Sequence, residues 1–170
     1  MEARERVSNI HDVTDYIIGR FADDPGSLNV LKLQKLLYYV QAWHLAFGAG
    51  VLFIGGFQAW VHGPANREIY DRFKTTHTMF SDVNRDHIQP TFRDENLSKG
   101  ARRHIDEVLE AYGELSGIQL EHMTHDERPW IEARGALRSF ERCETVIKES
   151  SMERFYRELL EQASEDDTPH

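Results

Sequence analysis

Residues 28–64, LNVLKLQKLLYYVQAWHLAFGAGVLFIGGFQAWVHGP, join a dense apolar helix to a short aromatic-rich ribbon that ends in Gly-Pro. Asn29 has the side chain to cap a helix running from Val30 to Phe47. Leu33, Leu36, Leu37 and Val40 line one side of it, and Trp43, Leu45 and Phe47 widen the apolar surface. Lys32, Lys35 and Gln41 are left to face water. A helix apolar over so much of its circumference is the central one of a small bundle. Gly48 and Gly50 end it. Beyond them Phe57, Ala59 and Val61 alternate, as in a half-buried strand. Gly55-Gly56 then supplies a hairpin turn or a bulge, and Gly63-Pro64 stops the ribbon. Two strands alone need helices as backing. The expected fold is mainly α: a compact multi-helix domain with a small β-hairpin or ribbon inserted after the central helix.

On the N-terminal side, Ile10, Val13, Ile17 and Phe21 recur at helical spacing, and Asp23 to Gly26 make a turn. On the C-terminal side, Asn66 favours a new helix carrying Ile69, Tyr70 and Phe73. Residues 74–96 are polar and broken by Pro90, and form the least regular interior stretch. Ser98 caps a helix bearing Ile105, Val108, Leu109 and Tyr112, which Gly113 and Gly117 shorten or divide. A turn from Asp126 to Pro129 leads to Trp130. Ser150 and Glu153 have capping-box spacing before Phe155, Tyr156, Leu159 and Leu160. The expected organisation is a polar N-terminal segment over 1–9, one domain over 10–160, and an acidic, disordered tail over 161–170.

With 170 residues, 40% apolar and 29% charged, the chain can bury a cooperative core. Its net charge of −9 argues against nonspecific nucleic-acid binding, which needs local positive charge. The single Cys143 excludes an internal disulfide framework and a cysteine-rich zinc module. The N-terminal MEARERVSN lacks a secretory apolar run, and no apolar stretch approaches about 18 residues, the length of a membrane span. The cytoplasm is the expected compartment.

No strong catalytic pattern emerges. His122 and His125 sit three apart with Asp126 and Glu127 beside them, but HMTHDE is not H-E-x-x-H, and zinc wants three or four protein ligands. Glu121, Asp126, Glu127 and Glu132 supply carboxylates without a visible opposing partner. GAGVLFIGG is neither a dinucleotide fingerprint nor a phosphate-binding loop. Cys143 lies beside Arg142, with Glu141 and Glu144 opposing any activation of its thiol, and reads as a packing residue. The expectation is no catalytic residue, no metal and no cofactor. Tyr38, Tyr39, Trp43, Trp60 and Trp130 belong to the core or to a recognition patch.

Three ordered blocks make the pattern specific. The first is Leu31-Lys32-Leu33-Gln34-Lys35-Leu36-Leu37-Tyr38-Tyr39, with Gln41, Trp43 and His44. The second runs through Leu52-Phe53, Ala59-Trp60 and His62-Gly63-Pro64, then Ile69-Tyr70. The third is Leu120, Thr124-His125-Asp126-Glu127 and Pro129-Trp130. Together they resemble the Panacea, or SocA-like, antitoxin domain. The resemblance implies a mainly helical antitoxin of a two-gene bacterial or phage toxin–antitoxin system, neutralising a cognate protein toxin by direct contact. It also raises proteolytic adaptation, in which the toxin is presented to the ClpXP protease. The chain departs from the family in having Val30 where a proline is common after the cap, and Ala65 where valine often follows Gly-Pro.

Lys35, Tyr39, Trp60 and His62 are the candidate partner contacts, because the signature helix and the ribbon are consecutive and can form one surface. Lys32, Gln34, Tyr38, Trp43, Gly63, Pro64, His125, Pro129 and Trp130 are motif residues open to either a contact or a structural role. Two other readings stand beside the antitoxin. One is a metal-dependent or acid–base enzyme centred on His122 and His125. The other is a phage or host regulatory scaffold with a non-toxin partner.

Overall fold

The computed structural model describes residues 6–75 and 78–166. Helix α1 (Ile10–Phe21) leads into α2 (Val30–Ala46), and the hairpin strands β1 (Gln58–Trp60) and β2 (Gly63–Ala65) follow. After these come α3 (Arg67–Phe73), α4 (Lys99–Tyr112), α5 (Gly117–His125), α6 (Arg128–Arg134) and α7 (Glu149–Asp166). The expected mainly helical fold with a small antiparallel ribbon after the central helix is the fold observed. Two caps start their helices where the sequence placed them, at Asn29 and Ser98. The Asn29 side chain accepts from Lys32 N at 2.8 Å, and Ser98 accepts from Ala101 N at 3.0 Å.

Helix α2 is central, packing against α1, α4, α5, α7 and β2. Its leucines and tyrosines are fully buried, and so are the polar side chains expected to face water: Lys32, Lys35 and Gln41, joined by Gln34. The physical reason is that the surrounding loops leave backbone groups without ladder partners, and long polar side chains of α2 satisfy them. Lys32 Nζ donates to the Ser27 and Gly113 carbonyls, and Lys35 Nζ donates to the Pro64 carbonyl at 2.9 Å. Gln34 exchanges two hydrogen bonds with the Asn66 backbone. Gln41 accepts from Leu52 N and donates to the Phe53 carbonyl.

The ribbon departs from the expected turn and stop. Gly55-Gly56 precedes the hairpin, the turn is Val61-His62, and Gly63-Pro64 forms the return strand instead of ending it. Ala59 pairs with Pro64, and Trp60 with Gly63. Gly63 adopts φ +96°, while Val61 and His62 keep negative φ, so the chain reverses through the glycine. The other edge of β1 is covered by the segment before α7: Ala59 N donates to the Thr145 carbonyl, and Ile147 N to the Phe57 carbonyl. This backing compensates for a sheet too small to stand alone.

The irregular stretch after α3 carries short 3-10 turns at Arg85–His87 and Asp94–Asn96 and is pinned to the helices. Leu31 N donates to the Met79 carbonyl, Val30 N to the Ser81 carbonyl, and Val83 N to the Leu28 carbonyl. The first two satisfy free donors at the start of α2, and the third gives the Leu28 carbonyl just before it a donor. Arg72 joins α3 to buried Asp15 of α1 and to the His87 carbonyl. Helix α7 begins one residue before Ser150, which is therefore inside the helix and not its cap. It continues through Asp166, into the acidic segment expected as a tail, whose residues 167–170 lie outside the described residues.

Gly63 is also where the hairpin touches α2 and α5. A Cβ there would stand 2.6 Å from Lys35 Cε and 2.8 Å from Thr124 Oγ1. Gly63→Ala therefore combines left-handed strain with a clash, and should destabilise the fold by about 2–4 kcal/mol. Gly26 has φ +81° and open space around it, so Gly26→Ala should lose only about 1 kcal/mol. Urea unfolding of both variants checks the difference.

Candidate functional site

Lys35, Trp60 and His62 come together, and Tyr39 does not join them. The three line a groove of about 430 Å³ between the start of α2, the hairpin and α3. Val30, Leu31, Val61, Tyr70 and Met79 supply much of its apolar wall, and Arg67, Arg142 and Glu144 its charged rim. Lys35 is only 2% exposed at the floor. Burial pushes its ammonium down to about 7 from the ordinary 10.5, partly offset by the Glu121 carboxylate.

Trp60 is half-buried, with its indole N–H donating to Gln58 Oε1 at 2.7 Å and its ring edge-on to Tyr70 at 5.1 Å. The Arg67 guanidinium lies 4.9 Å from the Trp60 ring centre and also donates to Glu144 Oε1 at 2.9 Å. Arg142 donates to the same carboxylate oxygen at 2.6 Å. These two guanidinium groups, Arg142 first, hold the Glu144 carboxyl below its usual range. His62 is exposed and pairs with Glu121 Oε1 at 2.6 Å.

The motif residues around the groove hold it in place. Trp130 donates its indole N–H to the Trp60 carbonyl at 2.8 Å and stacks on His125 at 4.2 Å. Pro129 is buried in the first turn of α6. Burial lowers the His125 imidazole from its ordinary value. Arg134, buried as well, donates to the Ala59 carbonyl at 2.8 Å and to two carbonyls of the following loop. Its guanidinium also lies over the Trp130 ring.

Tyr39 belongs to the core. It is fully buried, stacks on Tyr112 at 4.3 Å, and donates its hydroxyl to Glu127 Oε1 at 2.7 Å. Tyr156 of α7 donates to the same oxygen at 2.8 Å, and its hydroxyl lies 3.1 Å from that of Tyr38. Trp43 closes the cluster by donating to the Tyr112 hydroxyl at 2.8 Å. Desolvation raises the Glu127 carboxyl, and the two tyrosine donors offset part of that rise. Desolvation also pushes the Tyr112 hydroxyl up to about 12.

His122 is exposed on α5 while His125 is stacked, and among the described residues no three His, Cys, Asp or Glu side chains gather as a metal would require. Cys143 is buried in the groove wall. Among the described residues no helix is long and apolar enough to cross a membrane.

The order of the three sequence blocks, now seen as one packed unit around α2, agrees with comparison to known families. The sequence model described as antitoxin SocA-like, Panacea domain, matches residues 33–131, more than half of the chain. The chain belongs to this family. No curated protein and no solved structure matches it. The Panacea match contains the signature helix from Leu33 onward, the whole hairpin, and Trp130, so it covers Lys35, Trp60 and His62 together.

Sequence reasoning missed Arg67, Arg142 and Glu144 as groove residues and Glu127 as the hub of a tyrosine network. Arg142 and Glu144 were visible only as neighbours of Cys143, and nothing local ties them to a helix about a hundred residues earlier. The THDE motif did mark Glu127, but as one carboxylate among several.

Two outcomes test this chemistry. The unfolded chain keeps the Lys35 proton up to pH 10.5, whereas the folded chain releases it near 7. Folding therefore gains stability as pH rises through that window, by up to about 1.4 kcal/mol per pH unit. Lys35→Met should remove this component, seen as a flatter difference in unfolding free energy between pH 7 and about 9. Separately, Glu127→Ala takes the acceptor from the buried Tyr39 hydroxyl and leaves Tyr156 only Tyr38, and should lose about 1–3 kcal/mol, while Glu127→Gln keeps an acceptor and should lose far less. Thermal unfolding at pH 7 distinguishes the two.

Proposed function

We propose that this chain is an antitoxin that neutralises a cognate protein toxin by direct contact in the cytoplasm, with the groove over Lys35 as the docking site. Membership of the SocA-like Panacea family is the observation that carries the antitoxin reading. The convergence of Lys35, Trp60 and His62 on one concave surface supports the choice of groove. Its chemistry suits recognition. Trp, Tyr and Arg are the side chains that most often concentrate binding energy, and Trp60, Tyr70, Arg67 and Arg142 stand around a single opening. The floor and hairpin are already fixed by Lys35, Gly63 and Trp130, so docking needs little ordering of the antitoxin itself.

Sequestration is the simplest mechanism: a complex that forms only with folded toxin occupies the toxin's surface and stabilises both partners by mass action. Delivery to ClpXP is the other fate, and the two predict opposite effects on toxin lifetime. The test is growth rescue coupled to co-purification, with the adjacent reading frame as candidate toxin. Rescue with a stable complex is the expected result. A toxin that lives longer in the complex, with or without ClpXP, indicates sequestration; one that is cleared only when ClpXP is present indicates an adaptor. A toxic neighbour that is neither rescued nor bound ends the claim for that pair.

A further inference from the structure

The groove is a positive island on an acidic protein. The chain carries a net charge of −9, yet the groove lining holds Lys35, Arg67 and Arg142 against one carboxylate, Glu144. That carboxylate is shared, since both guanidinium groups donate to its Oε1 atom. Glu121, which is not part of the lining, pairs with groove residue His62 and also attracts the Lys35 ammonium.

The floor is less satisfied still. A lysine ammonium has three N–H donors. Among the described residues Lys35 Nζ makes one hydrogen bond, to the Pro64 carbonyl, although the side chain is 2% exposed. Burial with so few hydrogen bonds disfavours the charged form of Lys35, and an anion reaching Nζ would restore its ammonium. The walls above it are apolar and aromatic, which suits a bulky hydrocarbon side chain beside that anion.

Resting on the antitoxin reading above, we infer that the groove takes an acidic anchor from the partner protein: an Asp or Glu side chain beside a bulky apolar residue. The carboxylate sits over Lys35 and competes with Glu144 for Arg67 and Arg142, while the apolar neighbour packs against Trp60, Tyr70 and Leu31. The net charge of −9 disfavours acidic segments in general, whereas the cations around this groove favour one here.

The test uses the intact chain and a library of random heptapeptides displayed on phage, with affinities of the selected peptides measured by fluorescence anisotropy. Selected peptides are expected to pair Asp or Glu with Phe, Trp, Leu or Met. Replacing that acid by its amide should weaken binding about ten-fold or more, and Lys35→Met should do the same. Arg142→Ala, at an exposed rim position, should weaken binding several-fold, whereas Glu144→Gln should tighten it by releasing both arginines. The two rim variants carry the result if Lys35→Met fails to fold. Peptides without an acid, no enrichment at all, or affinities indifferent to Arg142→Ala and Glu144→Gln overturn the inference. Growth rescue that persists in variants unable to bind the peptides overturns it as well, and leaves the antitoxin reading standing. Acid-selective binding by a chain that rescues no toxin supports the anchor chemistry and removes the antitoxin reading.

Discussion

Everything in this fold depends on a central helix that has no water-facing side. Once α2 is surrounded by α1, α4, α5, α7 and the hairpin, its polar residues must find partners inside the protein or the helix cannot be buried. Lys32, Gln34, Lys35 and Gln41 find them in the backbone of the loops between the helices. The arrangement is reciprocal. Short connections with irregular backbone become affordable because α2 supplies donors and acceptors, and α2 becomes stable inside because those connections supply carbonyls. A hydrophobic stripe alone would bury the helix but would leave the hairpin and the loop before α3 unanchored.

That reciprocity explains which parts of the fold were legible in the sequence. Local signals carried α1, α2 and α4 well, since Asn29 and Ser98 are caps with an assignable chemistry and the apolar residues recur at helical spacing. The water-facing assignment of Lys32, Lys35 and Gln41 failed because polarity predicts exposure only when a helix has an exposed side. The reading of Gly63-Pro64 as the end of the ribbon failed for a related reason. Gly63-Pro64 looks like a terminator in isolation, yet the space above Lys35 and beside Thr124 admits only a glycine, and the lysine needs the Pro64 carbonyl. The turn therefore falls at Val61-His62, a choice made by tertiary packing and invisible to turn propensity.

The candidate site was legible to a similar depth. Lys35, Trp60 and His62 are close in sequence to the helix–hairpin junction, so consecutive elements brought them to one groove. Tyr39 lies one helical turn beyond Lys35, but a turn further along a helix enclosed by α4, α5 and α7 is simply deeper in the core. Its hydroxyl meets Glu127 and, through it, Tyr156. The rim from Arg67, Arg142 and Glu144 is a long-range product of the segment that covers the free edge of β1, and no local pattern announces it.

The same residues thus carry both the fold and the groove, and this sets how the site can vary. Lys35 holds the hairpin by one hydrogen bond from the floor of the groove, so under the proposed docking mode replacing it would alter support and recognition together. Trp130 fixes the Trp60 carbonyl while Trp60 faces the groove, which separates the two tasks between two indoles. The rim is different: Arg142 and Glu144 are exposed and support little of the core. If the groove is the docking site proposed above, changing the charged rim would alter partner choice without rebuilding the interior, because the deep contacts are set by packing and the outer ones by charge. Specificity would then be altered where stability is least at stake.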